Sequence, residues 1–132
     1  MGAWGAGSFD NDDAADFLND LSTKEVSDIK QILLGIEKQT GYIEAPECSV
    51  AIAAAEVIAA AKGAPPWEAP SELMEWIKER KPAVTPDLVS SALKAVGRIK
   101  TDSELKELWD EGGQLQDWDS HIENLVQRLT KP

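Results

Sequence analysis

Carboxylates are the residues of this chain best placed to do chemistry, and they gather near both ends. Asp10, Asp12 and Asp13 fall in the run DNDD. Grouped acids could hold a divalent cation and support a small metal-assisted hydrolase. A calcium-binding EF-hand loop needs acids at alternate positions followed by glycine, and Ala14 and Ala15 occupy the places of an acid and that glycine. The run therefore departs from the calcium-binding pattern.

A second acidic group near the C-terminus includes the single histidine of the chain. It consists of Asp110, Glu111, Asp117 and His121. Asp117 and His121 are four residues apart on a predicted helix, so both side chains could contact one metal ion. Two ligands do not complete a site, and no second histidine can join them. Asp117 and His121 are therefore only candidate ligands, and we predict no bound metal and no cofactor.

The sequence lacks the combinations of residues that nucleophilic catalysis requires. Cys48 lies in an apolar segment, which favours a small buried side chain over a reactive thiol. No Ser/His/Asp set can be assembled either, so the composition disfavours an enzyme. Glu56 interrupts the most apolar segment, and we expect it to face solvent or to form a salt bridge. The solvent-facing stripe would comprise Ser49, Ala53, Glu56 and Ala60.

The charge balance limits the partners that the chain could bind. The net charge is −11, from 13 Lys and Arg against 24 Asp and Glu. Residues 1–40 and 101–132 each carry 8 acids and 3 bases, whereas residues 71–100 carry 4 acids and 6 bases. This balance disfavours contact with a phosphate backbone, so we predict no nucleic-acid partner. A basic protein partner would explain it, and so would solubility alone.

Composition also bears on the compartment. No apolar run approaches the roughly 20 residues of a membrane span, and the N-terminus lacks the pattern of a signal peptide. The single cysteine fits a reducing compartment. We therefore expect a cytoplasmic protein without a membrane partner, whose oligomeric state the sequence leaves open.

Apolar residues recur at helical spacing along most of the chain, and no alternation typical of strands is present. The capping-box spacing of Ser22 and Glu25 predicts one helix start, and Thr85 is predicted to cap another helix. Asp102 or Ser103 caps a shorter one. We therefore predict an all-α fold of about seven short helices.

One predicted helix, from Pro46 to Ala61, is apolar nearly all round, which is typical of the middle of a bundle. The proline-rich stretch at residues 63–70 is predicted to be a connector, with Trp67 anchored in the core. Since no repeat of fixed period is present, we expect residues 1–132 to form a single domain, an irregular bundle. A short array of stacked helical hairpins is the alternative.

Residues 1–9 form a glycine- and tryptophan-containing leader ahead of the first helix. With Asp10 as N-cap, the run DNDD is the start of that helix. We expect Gly2, Gly5 and Gly7 to permit backbone conformations closed to other residues, and Trp4 to be an apolar anchor. A phosphate-binding loop is disfavoured, because no strand precedes the leader and no lysine follows it.

The opening residues MGAWGAGSFDNDDAADF resemble the bacterial family called domain of unknown function 4259. The resemblance is specific over residues 1–20 and elsewhere rests on length and on the series of helices. It implies a small bacterial protein of uncharacterised role and supplies no catalytic residue. It also implies that six residues act as a unit, either as a structural plug or as a contact surface, and we take them as candidate binding residues: Trp4, Gly5, Gly7, Phe9, Asn11 and Asp12.

Two functions remain open at this point. The first is a non-catalytic interaction protein, such as an inhibitor or an immunity-type protein, that covers a basic partner. The acidic charge and the absence of catalytic sets favour it. The alternative is a small metal-assisted hydrolase that uses the clustered carboxylates.

Overall fold

A computed structural model describes residues 5–131 of the chain. This part of the chain forms seven α-helices and contains no strand. The helices are α1 (Asp12–Asn19), α2 (Val26–Lys38), α3 (Ala45–Ala61), α4 (Ser71–Arg80), α5 (Pro86–Thr101), α6 (Glu104–Glu111) and α7 (Leu115–Thr130), with a 3₁₀ turn at Leu21–Thr23. The all-α prediction is confirmed, and none of these helices is both long enough and apolar enough to cross a bilayer.

Helix α3 is the centre of the bundle, as its apolar composition predicts. It packs against all six other α-helices. Every residue from Ala51 to Ala60 is buried. Since alanine carries only a methyl group, neighbouring helices can approach α3 closely along most of its surface. A stacked array would let each helix contact only its neighbours, so the irregular bundle is the correct alternative.

Two of the predicted helix starts are confirmed by their hydrogen bonds. The Thr85 hydroxyl accepts a bond from the Leu88 N–H at 3.2 Å, and Pro86 takes the first helical position. The Ser103 hydroxyl accepts from the Lys106 N–H, also at 3.2 Å. Both bonds satisfy a backbone donor that the first turn of a helix leaves free.

The start of α2 differs from the prediction. Ser22 lies in the 3₁₀ turn, and Glu25 is the N-cap, with its N–H donating to the Asp28 carboxylate at 2.8 Å. Leu21 in this turn is buried in the core, and α2 begins only after the turn has ended. The burial of one leucine therefore overrides the capping-box spacing of Ser22 and Glu25.

The position of Trp67 also contradicts the prediction, because this side chain is not in the core. It is 91% exposed, on the connector between α3 and α4. Pro65 and Pro66 constrain the backbone just before it, and Glu68 just after it has a positive φ of 54°. The connector turns sharply at this point and leaves the indole in solvent.

Candidate functional site

The leader closes a tight turn onto the carboxylate of Asp10. The Asp10 N–H donates to the Gly7 carbonyl at 3.1 Å, and the Gly7 N–H donates to Asp10 Oδ2 at 3.2 Å. Asp10 is therefore not the N-cap of α1, as predicted from the sequence. Asn11 takes that role, and its Oδ1 accepts from the Ala14 N–H at 2.8 Å. The prediction fails because the Asp10 carboxylate is already engaged by the leader.

Gly5 and Gly7 are required by space. Gly7 has no positive φ, so the expectation of a special backbone conformation is wrong at that position. A Cβ at either position would lie 2.6 Å from Asp10 Oδ2, well inside van der Waals contact. The two glycines therefore leave room for the carboxylate that holds the turn. Gly2 and Trp4 lie outside the described residues.

This arrangement predicts that Gly7→Ala lowers the free energy of unfolding by about 0.5–1.5 kcal/mol, because the added methyl displaces the Asp10 carboxylate and breaks its hydrogen bond from the Gly7 N–H. Urea unfolding would measure the loss. In an Asp10→Ala background the same substitution is expected to cost less, since the clash is already gone. Gly41→Ala is the matched control, because a Cβ there meets nothing within 4 Å. An equal loss at Gly7 and Gly41 would contradict the packing role of Gly7.

A buried ion pair lies beneath the leader and joins α3 to α7. Glu56 is 2% exposed, and its carboxylate receives two bonds from the Arg128 guanidinium, at 2.6 and 2.9 Å. The Ser8 hydroxyl donates to the same carboxylate at 2.7 Å. Arg128 Nε donates to Asn124 Oδ1 at 2.7 Å, and one of its terminal nitrogens lies 3.3 Å from the Ala64 carbonyl. The network thus ties the leader, α3, the connector and α7 together.

The network settles the two expectations for Glu56. The salt bridge is confirmed, and the solvent-facing stripe is wrong because Ser49, Ala53, Glu56 and Ala60 are all buried. The role of Arg128 was missed. Its only signal in the sequence is its spacing, three residues after Leu125 and six after Ile122, which places a charge next to the apolar stripe of α7. An acid buried in the apolar part of α3 requires such a partner.

An open groove of about 570 Å³ lies over this ion pair, and we call it the Trp67 groove. Glu56 and Arg128 contribute its buried charged groups. The leader, the connector and α7 provide its walls, which consist of residues 7–10, residues 66–68, Pro70, Ser120, His121 and Asn124. Exposed Trp67 stands at its edge, so the groove combines aromatic surface with acidic groups.

A smaller cavity of about 220 Å³ lies on the other side of the leader, and we call it the Trp118 pocket. Gly7 and Ser8 line both cavities, so the leader separates them. Most of the pocket wall comes from apolar residues of α3, α6 and α7. The full lining is Ala6, Gly7, Ser8, Asn11, Asp13, Ala45, Pro46, Ser49, Ile52, Leu105, Leu108, Trp109, Trp118 and Ile122.

The candidate binding residues do not share one surface. Gly7 lines both cavities, Phe9 lines the Trp67 groove, and Asn11 lines the Trp118 pocket. Gly5 is half-buried against Asp10, and Asp12 is exposed at the first position of α1. The structure adds Ser8 and Asp10 to this region. Ser8 was missed as a site residue, and Asp10 was predicted only as part of the acidic run and as an N-cap, since the contacts of both residues here are not revealed by spacing.

The acidic groups show no assembled metal site. No three His, Cys, Asp or Glu side chains between residues 5 and 131 come together in a way that could hold an ion. Asp117 and His121 are both exposed, and of the two only His121 lines the Trp67 groove. Asp110 and Glu111, at the end of α6, line neither cavity. The described residues therefore supply no set of metal ligands for a metal-assisted hydrolase.

Cys48 is fully buried in α3, as expected. Burial raises the pKa of its thiol to about 11, because the thiolate would lose its hydration. At neutral pH the side chain is therefore a neutral thiol. Only a thiolate is an effective nucleophile, so Cys48 has a packing role in this fold.

The profile of the family described as "Domain of unknown function (DUF4259)" matches residues 2–121. The chain belongs to this family. The DUF4259 match covers nearly the whole chain and extends far beyond residues 1–20, over which the resemblance is specific. No curated protein and no solved structure matches the chain significantly. DUF4259 membership therefore brings no activity with it, and the function has to be argued from the site.

Proposed function

We propose that the protein is a non-catalytic interaction module that binds a basic protein partner through the Trp67 groove. The exposure of Trp67 carries this proposal. A tryptophan that is 91% exposed leaves a large apolar side chain in water, at the edge of a concave surface. Tryptophan is among the residues that most often dominate binding energy in protein interfaces. A partner that covers this indole would remove the unfavourable exposure.

Charge favours a basic partner. Asp10 and Glu68 both line the groove, while the Arg128 guanidinium compensates the charge of Glu56. The whole chain carries a net charge of −11, which attracts cations over distances up to about a Debye length. A lysine or arginine of the partner could stack on the indole and approach both carboxylates. The same charge repels nucleic acid.

A non-catalytic role is supported by the groups that meet in the groove. The Ser8 hydroxyl donates to Glu56, but this carboxylate already accepts two hydrogen bonds from the Arg128 guanidinium. Among the described residues, His121 makes no hydrogen bond to Ser8 that would activate it. We propose an inhibitor or immunity-type protein of the cytoplasm, which acts by covering a basic surface. Residues 1–132 would act as one domain.

The test is a cross-linked pull-down from lysate of the native host, with partners identified by mass spectrometry and binding then measured with the purified partner. The wild-type chain is expected to retain a basic protein at low salt and to release it as salt rises. Trp67→Ala is expected to weaken binding about 30-fold or more, which corresponds to a loss of about 2 kcal/mol.

Tyr42→Ala is the matched control, because Tyr42 is also an exposed aromatic residue but does not line the groove. It is expected to bind the partner as the wild type does. Failure to retain any basic protein at low salt would refute the proposed function. Equal binding by Trp67→Ala and the wild type would refute the role of the groove.

A further inference from the structure

The Trp118 pocket has the size of a small-molecule site. Its volume is about 220 Å³. An apolar cavity of about 150 Å³ in another protein is large enough to bind benzene. The pocket therefore accommodates one aromatic ring and a chain of two or three further atoms. It is too small for a helix or a strand of a partner protein.

The walls of the pocket favour an apolar body. Ile52, Trp109, Trp118 and Ile122 are buried residues that line the cavity. Leu105 and Leu108 of α6 complete this apolar part. A ring in contact with these side chains would gain both hydrophobic burial and aromatic contacts.

The polar groups of the pocket are few, and they carry one sign of charge. No Lys, Arg or His is among the lining residues, and Asp13 is the sole charged one. Asp13 is exposed, so its carboxylate lies at the open side, and it forms no ion pair with any residue between 5 and 131. Ser49 is a buried polar residue that also lines the pocket, and its hydroxyl makes no hydrogen bond with any residue between 5 and 131.

We infer that the Trp118 pocket binds a small primary amine with an apolar body, of the arylalkylamine class. The ring occupies the space between α3, α6 and α7, and the ammonium group lies at the open side near Asp13. Ser49 offers an acceptor for one ammonium proton. An anionic ligand of the same size is disfavoured, because it would meet a carboxylate and no compensating cation. The inference does not depend on the Trp67 groove or on a protein partner.

The test uses 2-phenylethylamine as the probe, with 2-phenylethanol and phenylacetate as neutral and anionic analogues of similar size. Binding is followed by NMR through the indole N–H signals, which assign the site to Trp109 and Trp118. The amine is expected to shift these two signals and to bind about fivefold more tightly than the alcohol, with phenylacetate the weakest. An unchanged spectrum, or equal affinity for amine and alcohol, would overturn the inference.

Asp13→Asn is expected to reduce the preference for the amine to less than twofold. Asp87→Asn is the matched control, because Asp87 is an exposed acid at the same position of the first turn of α5 and lines none of the cavities described above. It is expected to leave the preference unchanged. Retention of the full preference by Asp13→Asn would overturn the role of the carboxylate.

Trp67→Ala separates this inference from the proposed function. It is expected to leave 2-phenylethylamine affinity within about twofold of wild type, because Trp67 does not line the Trp118 pocket. Loss of probe binding in this variant would place the amine elsewhere and overturn the inference. Loss of the protein partner alone would concern only the proposed function.

Discussion

Arg128→Ala is expected to lower the free energy of unfolding by about 3–5 kcal/mol, because it leaves the Glu56 carboxylate buried without its cation. Glu56 is 2% exposed and receives two guanidinium bonds, so water entering from the Trp67 groove would replace the lost partner only in part. The Asn124 and Ala64 oxygens lose a donor at the same time. Urea unfolding monitored by circular dichroism would measure the loss.

Two controls give this result its meaning. Lys94→Ala removes an ion pair with Glu37 in which the lysine side chain is 62% exposed, and it is expected to cost less than about 1 kcal/mol. The double variant Glu56→Met, Arg128→Met replaces both charges with flexible apolar groups and is expected to regain much of the loss. A loss below about 1 kcal/mol in Arg128→Ala would show that the pair is not buried in solution.

Trp76→Ala is expected to cost about 3–5 kcal/mol, the usual range for removing a large aromatic side chain from a core. Trp76 is 3% exposed, on α4. Its Nε1–H donates to the Lys24 carbonyl at 2.9 Å, and the Arg80 guanidinium carbon lies 5.7 Å from the ring centroid. Thermal and urea unfolding would measure the effect.

Trp67→Ala makes the same substitution at an exposed position. Trp67→Ala is expected to change the free energy of unfolding by no more than about 0.5 kcal/mol, because almost none of this indole is buried in the fold. Trp76→Phe keeps an aromatic ring but loses the indole N–H donor. Its loss of stability is expected to lie between those of Trp67→Ala and Trp76→Ala, since Arg80 Nε still donates to the Lys24 carbonyl at 2.8 Å. Similar losses for Trp67→Ala and Trp76→Ala would contradict the placement of both side chains.

Local patterns predict much of this fold. The largely apolar composition of α3 indicates its central position, and Thr85 and Ser103 mark two helix starts by a side chain that caps its own helix. In each case the relevant interaction joins residues close in sequence, or depends only on how apolar a whole segment is. Spacing and composition describe both directly.

The candidate site depends on contacts that local patterns do not describe. Glu56 and Arg128 are 72 residues apart, and Ser8 is 48 residues from Glu56. Asp10 has a sequence context suited to an N-cap, yet the leader takes its carboxylate, so Asn11 caps α1 instead. Trp67 is apolar and therefore predicted to be buried, but the connector that carries it turns outward. Each of these outcomes depends on tertiary packing.

The ion pair beneath the leader has a consequence for synthesis of the chain. Residues up to the end of α6 leave the ribosome before Arg128 does, so for that interval α3 carries a carboxylate with no guanidinium to neutralise it. Since α3 contacts every other helix, the nascent chain cannot complete its interior around that charge. We therefore expect the bundle to close around Glu56 only after α7 has left the exit tunnel, and a chain truncated before α7 to expose the surfaces of α3 and α5 that α7 covers.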